Sequence, residues 1–211
     1  MYNLFMKKYI AEGFGTFVLT LVVALSFGGY FALQTPVLAA LTVALFVYAV
    51  GHISGAHLNP AVTIGLWSIK KIDHKQMFGY FGAQFLGAIP AMYLANSVYH
   101  LEDFFSVQYV TLNEPTMVAI AEFTGMFLYA FLLGAFAYGR IEKGFSGIYV
   151  GSSLLFGIVI ATMIGSGGFI NPAVAFGFSF PFGIDSLSLI YVFAPLLGGV
   201  LGMQAYKYLD R

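Results

Sequence analysis

Long apolar stretches separated by short polar ones are the first constraint on this chain. No charged residue stands between Glu12 and Lys70, a gap of 57 positions; Gly144 to Ile184 gives 41 more, Gln76 to Leu101 gives 26 and Ser186 to Tyr206 gives 21. A helix that crosses a bilayer needs about 20 apolar residues, so the chain can cross several times. Without water in the hydrocarbon, each crossing must be a helix that satisfies its own backbone, or part of a closed barrel. These runs are too long for the short alternating strands of a barrel. They predict an all-α membrane protein with spans near 5–27, 36–53, 75–98, 116–138, 146–165 and 186–207.

Two further apolar stretches, Val62–Ile69 and Val174–Phe180, are too short to cross. About ten residues of helix rise only ~15 Å, half of a ~30 Å hydrocarbon core. Each reads as a re-entrant half-helix ending near the midplane.

The chain also repeats itself. Ala11-Glu12-Gly13-Phe14-Gly15-Thr16-Phe17 matches Ala121-Glu122-Phe123-Thr124-Gly125-Met126-Phe127, and Leu58-Asn59-Pro60-Ala61-Val62 matches Ile170-Asn171-Pro172-Ala173-Val174. A weaker pair sets Tyr80–Ala88 against Tyr191–Gly199. The offsets of 110, 112 and 111 lie close to half the chain and indicate internal duplication. Each half crosses three times, and an odd number of crossings turns the second copy upside down, giving an inverted 3+3 repeat. The reading is a single domain over 1–211, with repeats of about 1–100 and 115–211 joined by an extracellular loop.

Composition agrees with a lipid solvent. Of 211 residues 60% are hydrophobic and 9% charged, with no net charge and no cysteine, whereas a soluble domain carries roughly a quarter charged residues. The nine basic residues are Lys7, Lys8, Lys70, Lys71, Lys75, Arg140, Lys143, Lys207 and Arg211. With the N-terminus in the cytoplasm all nine fall on cytoplasmic segments, and the opposite loops hold Glu102, Asp103, Glu114 and Asp185. The positive-inside rule therefore predicts cytoplasmic termini in a cell (inner or plasma) membrane. Lys7 and Lys8 could open a signal peptide, but the stretch from Tyr9 to Phe27 is too long for a typical signal core and more spans follow, so it reads as a retained first helix. Without cysteine there is no disulfide and no thiolate metal site. No basic surplus points to nucleic acid.

Asn59-Pro60-Ala61 and Asn171-Pro172-Ala173 carry the candidate chemistry. Asparagine is a favoured N-cap, and proline suits the first helical position because its missing N–H would be unpaired there. One copy could simply start a helix. Two copies at matched repeat positions, each after a glycine-rich approach, point further. Each half-helix N-terminus carries about half a positive charge. Two such ends meeting at midplane disfavour hydronium and cations without any ionised side chain. The asparagine amides can donate to a passing water oxygen, which turns both its hydrogens outward and interrupts a proton-conducting file. Extended backbone inside a membrane is tolerated only around a wet cavity, so the free carbonyls near Gly55, Ala56 and His57, and near Gly167, Gly168 and Phe169, are candidate acceptors along the path.

Here the chain resembles the aquaporin (major intrinsic protein) family over essentially its whole length, most specifically in the segment from Gly51 to Thr63, which reads Gly-His-Ile-Ser-Gly-Ala-His-Leu-Asn-Pro-Ala-Val-Thr. The resemblance implies six transmembrane helices plus two re-entrant half-helices, a water pore in each protomer and a homotetramer. It also implies a structural role for Glu12 and Glu122, which lie within spans at equivalent positions and would accept hydrogen bonds from the re-entrant loops. An intramembrane carboxylate is otherwise a candidate proton or cation site. The chain looks like an atypical, bacterial-like member. Where the family places an arginine after the second motif, this sequence has Val174. The other constriction positions carried over from the resemblance are Ala39, Val159 and Gly168. The ring would hold no charge, no donor and no large side chain, and so be wider and less polar, with Phe169 a candidate to narrow it again.

His52 and His57 flank the first glycine-rich loop, but no carboxylate or third ligand stands at metal spacing; both read as loop-fixing or pore-backbone residues. His74 and His100 read as interfacial, and the Gly147/Gly151 and Gly198/Gly202 pairs suit close helix packing. The expected function is a passive channel for water and small uncharged solutes, embedded in lipid and without a cofactor. The alternatives are a wider facilitator for glycerol, urea or ammonia, an ion-coupled transporter using Glu12 or Glu122, and a non-conducting scaffold. No nucleophile–base pair or metal cluster suggests an enzyme.

Overall fold

The computed structural model describes the backbone of residues 2–28, 32–99 and 114–210, and the side chains of 6–27, 32–99 and 114–210. His100, Glu102, Asp103, Arg211 and the linker between the repeats lie outside the described residues. Among those described, every regular element is helical: α1 Tyr2–Gly28, α2 Thr35–Ser54, α3 Pro60–Ser68, α4 His74–Tyr99, α5 Pro115–Ala137, α6 Ser146–Ile164, α7 Pro172–Ser179 and α8 Ser186–Leu209. The boundaries fall within a few residues of the expected spans. Five of the six long helices are long and apolar enough to cross a membrane, namely α1, α2, α5, α6 (with the short turn before it) and α8. The sixth, α4, is 26 residues long but more polar, because it carries Gln76, Gln84 and Asn96. Gln84 is wholly buried, so its amide never meets lipid.

The packing is the same when the two halves are exchanged. In one half α1 lies against α2 and α4; in the other α5 lies against α6 and α8. Each half-helix packs on the last helix of the opposite half, α3 on α8 and α7 on α4, and α2 meets α6 across the centre. Small residues set the separations. A Cβ at Gly198 would stand 2.5 Å from the Phe123 carbonyl oxygen, and one at Gly87 would press on the carbonyl of Gly13. These two contacts are repeat equivalents. Gly65 faces the Gly199 carbonyl at 2.7 Å and Gly177 the Ala88 carbonyl at 3.0 Å, both again measured to an added Cβ. Gly147 and Gly151 bring α6 onto Ala44 and Ala40 of α2.

The ends of the helices sort by charge. Arg140 Nε donates to Asp210 Oδ1 at 2.8 Å, Lys71 Nζ sits 4.3 Å from the Tyr138 ring centroid, and Lys8 Nζ donates to Gln76 Oε1 at 3.2 Å. Lying at partly exposed helix ends, these pairs contribute little to stability. Asp185 caps α8, accepting from Ser188 N at 2.7 Å, and the Ser188 hydroxyl and N–H hold its carboxyl below the usual carboxylate range.

Candidate functional site

Both half-helices start as their sequences require. Asn59 is extended (φ −156°) and its Oδ1 accepts from Ala61 N at 2.8 Å; Asn171 (φ −140°) accepts from Ala173 N at 3.1 Å and Val174 N at 3.4 Å. In both, proline fills the first helical position. The amide nitrogens reach across to the other half. Asn59 Nδ2 donates to Ile170 O at 2.9 Å, and Asn171 Nδ2 donates to Leu58 O at 2.9 Å. The asparagines are 3% and 4% exposed, so two helix N-termini meet inside the protein, joined by reciprocal bonds. An amide nitrogen carries two hydrogens; one of each pair is used here.

The loops that deliver the asparagines are fixed by the two buried carboxylates. Glu12 Oε1 accepts from Ser54 Oγ at 2.7 Å and His57 N at 2.9 Å, and its Oε2 from Leu58 N at 2.7 Å and Gln84 Nε2 at 2.8 Å. Glu122 Oε1 accepts from Ser166 Oγ at 2.8 Å and Phe169 N at 3.0 Å, and its Oε2 from Ile170 N at 2.6 Å. Ser54 Oγ in turn accepts from Ala56 N at 3.0 Å and Ser166 Oγ from Gly168 N at 3.0 Å. Tyr80 donates its hydroxyl to Ser54 O at 2.7 Å, whereas Tyr191 Oη accepts from Gly167 N at 3.1 Å. A carboxylate is acceptor-only when ionised, and here its acceptor positions meet loop N–H and hydroxyl groups that have no water to turn to. These bonds hold Leu58 at φ 50° and Ile170 at φ 39°, a left-handed conformation that costs a non-glycine residue roughly 1–2 kcal/mol. The strain turns each carbonyl toward the opposite asparagine.

A family model described as "Major intrinsic protein" matches residues 2–206. The chain belongs to the major intrinsic protein family. Among its relatives, Aquaporin Z of Rhodopseudomonas palustris is 34% identical over 97% of this chain and 93% of its own length. Aquaporin AqpM of Methanothermobacter marburgensis is 35% identical over 79% of this chain and 72% of its own. The fold is similar to that of a solved aquaglyceroporin from Plasmodium falciparum, with a TM-score of 0.78 and 24% identity, over 97% of this chain and 96% of that one. As a member of the major intrinsic protein family, the protein is a passive multi-pass membrane channel and not an enzyme.

Two cavities border the approaches to the half-helices, the larger of them reaching Asn171. One, of about 350 Å³, is lined by Ala39, Gly167, Gly168, Phe169, Asn171 and Val174 together with Leu19, Val23, Phe27, Gln34, Thr35, Pro36, Leu154, Ile158 and Thr162. None of these side chains is ionisable. The other, of about 110 Å³, is lined by Gly55, Ala56, His57 and Val62 with Val47, Leu66, Tyr129, Leu133, Phe136, Ala137 and Val150. Both glycine-rich approaches therefore border open space, one in each cavity.

Three of the four constriction positions implied by the family pattern line the larger cavity: Ala39, Gly168 and Val174. Val159 does not. It is 37% exposed on the flank of α6, while Ile158, 7% exposed, takes the inward place. Counting back from Asn171 crosses a loop of unknown reach, and one residue of error turns a helical side chain by about 100°. Gly168 has φ 67°, and a Cβ there would lie 2.6 Å from Thr162 Cγ2; no larger residue fits without displacing the wall. Phe169 is held against Phe178 and Tyr191, with ring centroids 5.1 and 5.2 Å away. His57 is buried beside Tyr80, at 5.0 Å between ring centroids, whereas His52 and His74 are exposed. Sequence reading missed the serine, tyrosine and Gln84 partners of the two carboxylates. The serines were findable, since Ser54 and Ser166 stand at the same offset as the two motifs.

Proposed function

We propose that water and small uncharged solutes pass from the larger cavity, by Asn59 and Asn171, into the smaller one. The reciprocal asparagine bonds carry this reading, with Asn171 on the larger cavity and the first approach, Gly55 to His57, on the smaller one. The second hydrogen of each amide is left to a water oxygen, and the two converging helix ends add positive potential against protons and cations. The carbonyls of Gly55, Ala56 and His57, and of Gly167, Gly168 and Phe169, are the acceptors along the walls. Ala39, Ile158, Gly168 and Val174 form the selective ring, which carries no charge.

The small residues at Ala39 and Gly168 and the size of the outer cavity favour a wider facilitator. At about 30 Å³ per water, a space of about 350 Å³ admits glycerol or urea with part of its hydration. The basic residues on one end of the bundle favour cytoplasmic termini and a cell membrane, with the larger cavity facing out. The two halves form one domain, four copies of which assemble in the membrane, as is typical of the family.

Stopped-flow light scattering on proteoliposomes tests this, with water, glycerol and urea as separate arms. Flux of water and at least one solute above that of empty liposomes, without sodium or proton current, is the expected result. Permeability equal to empty liposomes overturns it.

A further inference from the structure

Resting on that pore reading, we infer that Thr63 and Gln84 are positioning residues which fix His57 with its proton on Nδ1 and turn a bare Nε2 toward the inner cavity as an acceptor for the passing solute. The chain of donors starts at Glu12, both of whose oxygens already accept loop N–H groups, from His57 and Leu58. Gln84 must therefore present its nitrogen, and Nε2 donates both to Glu12 Oε2 at 2.8 Å and to Thr63 Oγ1 at 3.0 Å. The cost of this orientation is visible, for Gln84 Oε1 is buried without a partner.

Thr63 gives its one hydroxyl hydrogen to Asn59 O at 3.0 Å. Its oxygen is then an acceptor toward His57 Nδ1, 3.1 Å away, and the ring nitrogen supplies the hydrogen. In a neutral imidazole the tautomer follows from the bond that one nitrogen makes. The other nitrogen, Nε2, has no hydrogen-bond partner among the described residues, and it is not among the sealed, unpaired polar atoms. His57 and Gly55, whose added Cβ would lie 3.0 Å from Nε2, both border the inner cavity. Beside the Tyr129 hydroxyl, the wall of the inner cavity thus presents carbonyls and one imidazole nitrogen as acceptors, to which a solute offers N–H or O–H groups.

The second half has no such device. Pro195 stands where the repeat would place a counterpart of Gln84, and Phe169 where it would place one of His57. There Glu122 still fixes the loop backbone, and the Phe169 side chain is held by packing on Phe178 and Tyr191.

Solid-state NMR on protein labelled with 15N at histidine, in liposomes at neutral pH, tests the assignment, with His57→Asn identifying the resonance. The expected result is a protonated Nδ1 and an unprotonated Nε2; a protonated Nε2 beside a bare Nδ1 overturns the inference while leaving the pore intact. Thr63→Val should mix the tautomers and lower water permeability per molecule roughly three- to tenfold, the effect of one hydrogen bond, and Thr63→Ser should restore both. Unchanged permeability in a Thr63→Val protein with mixed tautomers refutes the role in transport. A wild-type protein with the expected tautomer but no flux refutes the pore reading, and this role with it.

Discussion

Asn59 and Asn171 each donate an amide hydrogen to the carbonyl that precedes the other's motif, at 2.9 Å in both directions. The same two residues cap their own helices, so each side chain closes one helix end and ties it to the other.

Replacing either asparagine by alanine should therefore remove a cap and a cross-bond together. The freed carbonyl and N–H lie buried, where an unpaired group costs about 1–3 kcal/mol. Asn59→Ala and Asn171→Ala should lower the apparent melting temperature in detergent to a similar degree. A large asymmetry between them would show that the two ends are not equivalent.

Glu12→Gln and Glu122→Gln test what the carboxylates do. A glutamine keeps one acceptor oxygen but sets an NH2 against donors, which Glu12 faces in four bonds and Glu122 in three. Glu12→Gln should be the more destabilising, each losing about 1–3 kcal/mol or more, read as survival on heating in detergent. The folded fraction should conduct as before, independent of proton or sodium gradients. Flux that follows a gradient in wild type and vanishes in one variant would establish coupling instead.

How much of this was legible follows from which signals repeat. Apolar runs bounded by charge placed all six long helices, because lipid punishes any other arrangement. The two Asn-Pro-Ala copies gave the half-helices, because helix-start chemistry is local. What resisted reading depends on distance in space. The bond from Asn59 to Ile170 joins residues 111 apart, and no local pattern announces it. Gln84 left no trace, since its repeat position holds Pro195. Ile158 and Val159 are alike in composition, and only the rotation of α6 separates the wall of the cavity from the outer flank.

Close helix contact gives a further test. Gly198→Ala puts a methyl 2.5 Å from the Phe123 carbonyl, and α8 cannot yield without losing its seat on α5. Overpacking of this kind costs about 1–3 kcal/mol, and Gly87→Ala, its repeat equivalent, should behave alike. Gly82→Ala is the control: an added Cβ there meets nothing within 4 Å, and helix propensity favours alanine by up to ~1 kcal/mol. Thermal unfolding of the three proteins should separate the first two from the third.

Val174→Arg examines the proposed selective ring. Val174 is 3% exposed and lines the larger cavity with Ala39 and Gly168. The small neighbours leave room for an arginine to extend across the opening. A guanidinium there adds donors that water can use and bulk that glycerol must squeeze past. Glycerol permeability should fall roughly tenfold relative to water, the ratio that about 1.4 kcal/mol of barrier difference produces. Val174→Leu adds a little bulk without charge and should change the ratio far less. If water and glycerol fall together in the arginine variant, the ring does not discriminate between them, and selection lies deeper, at the asparagine pair.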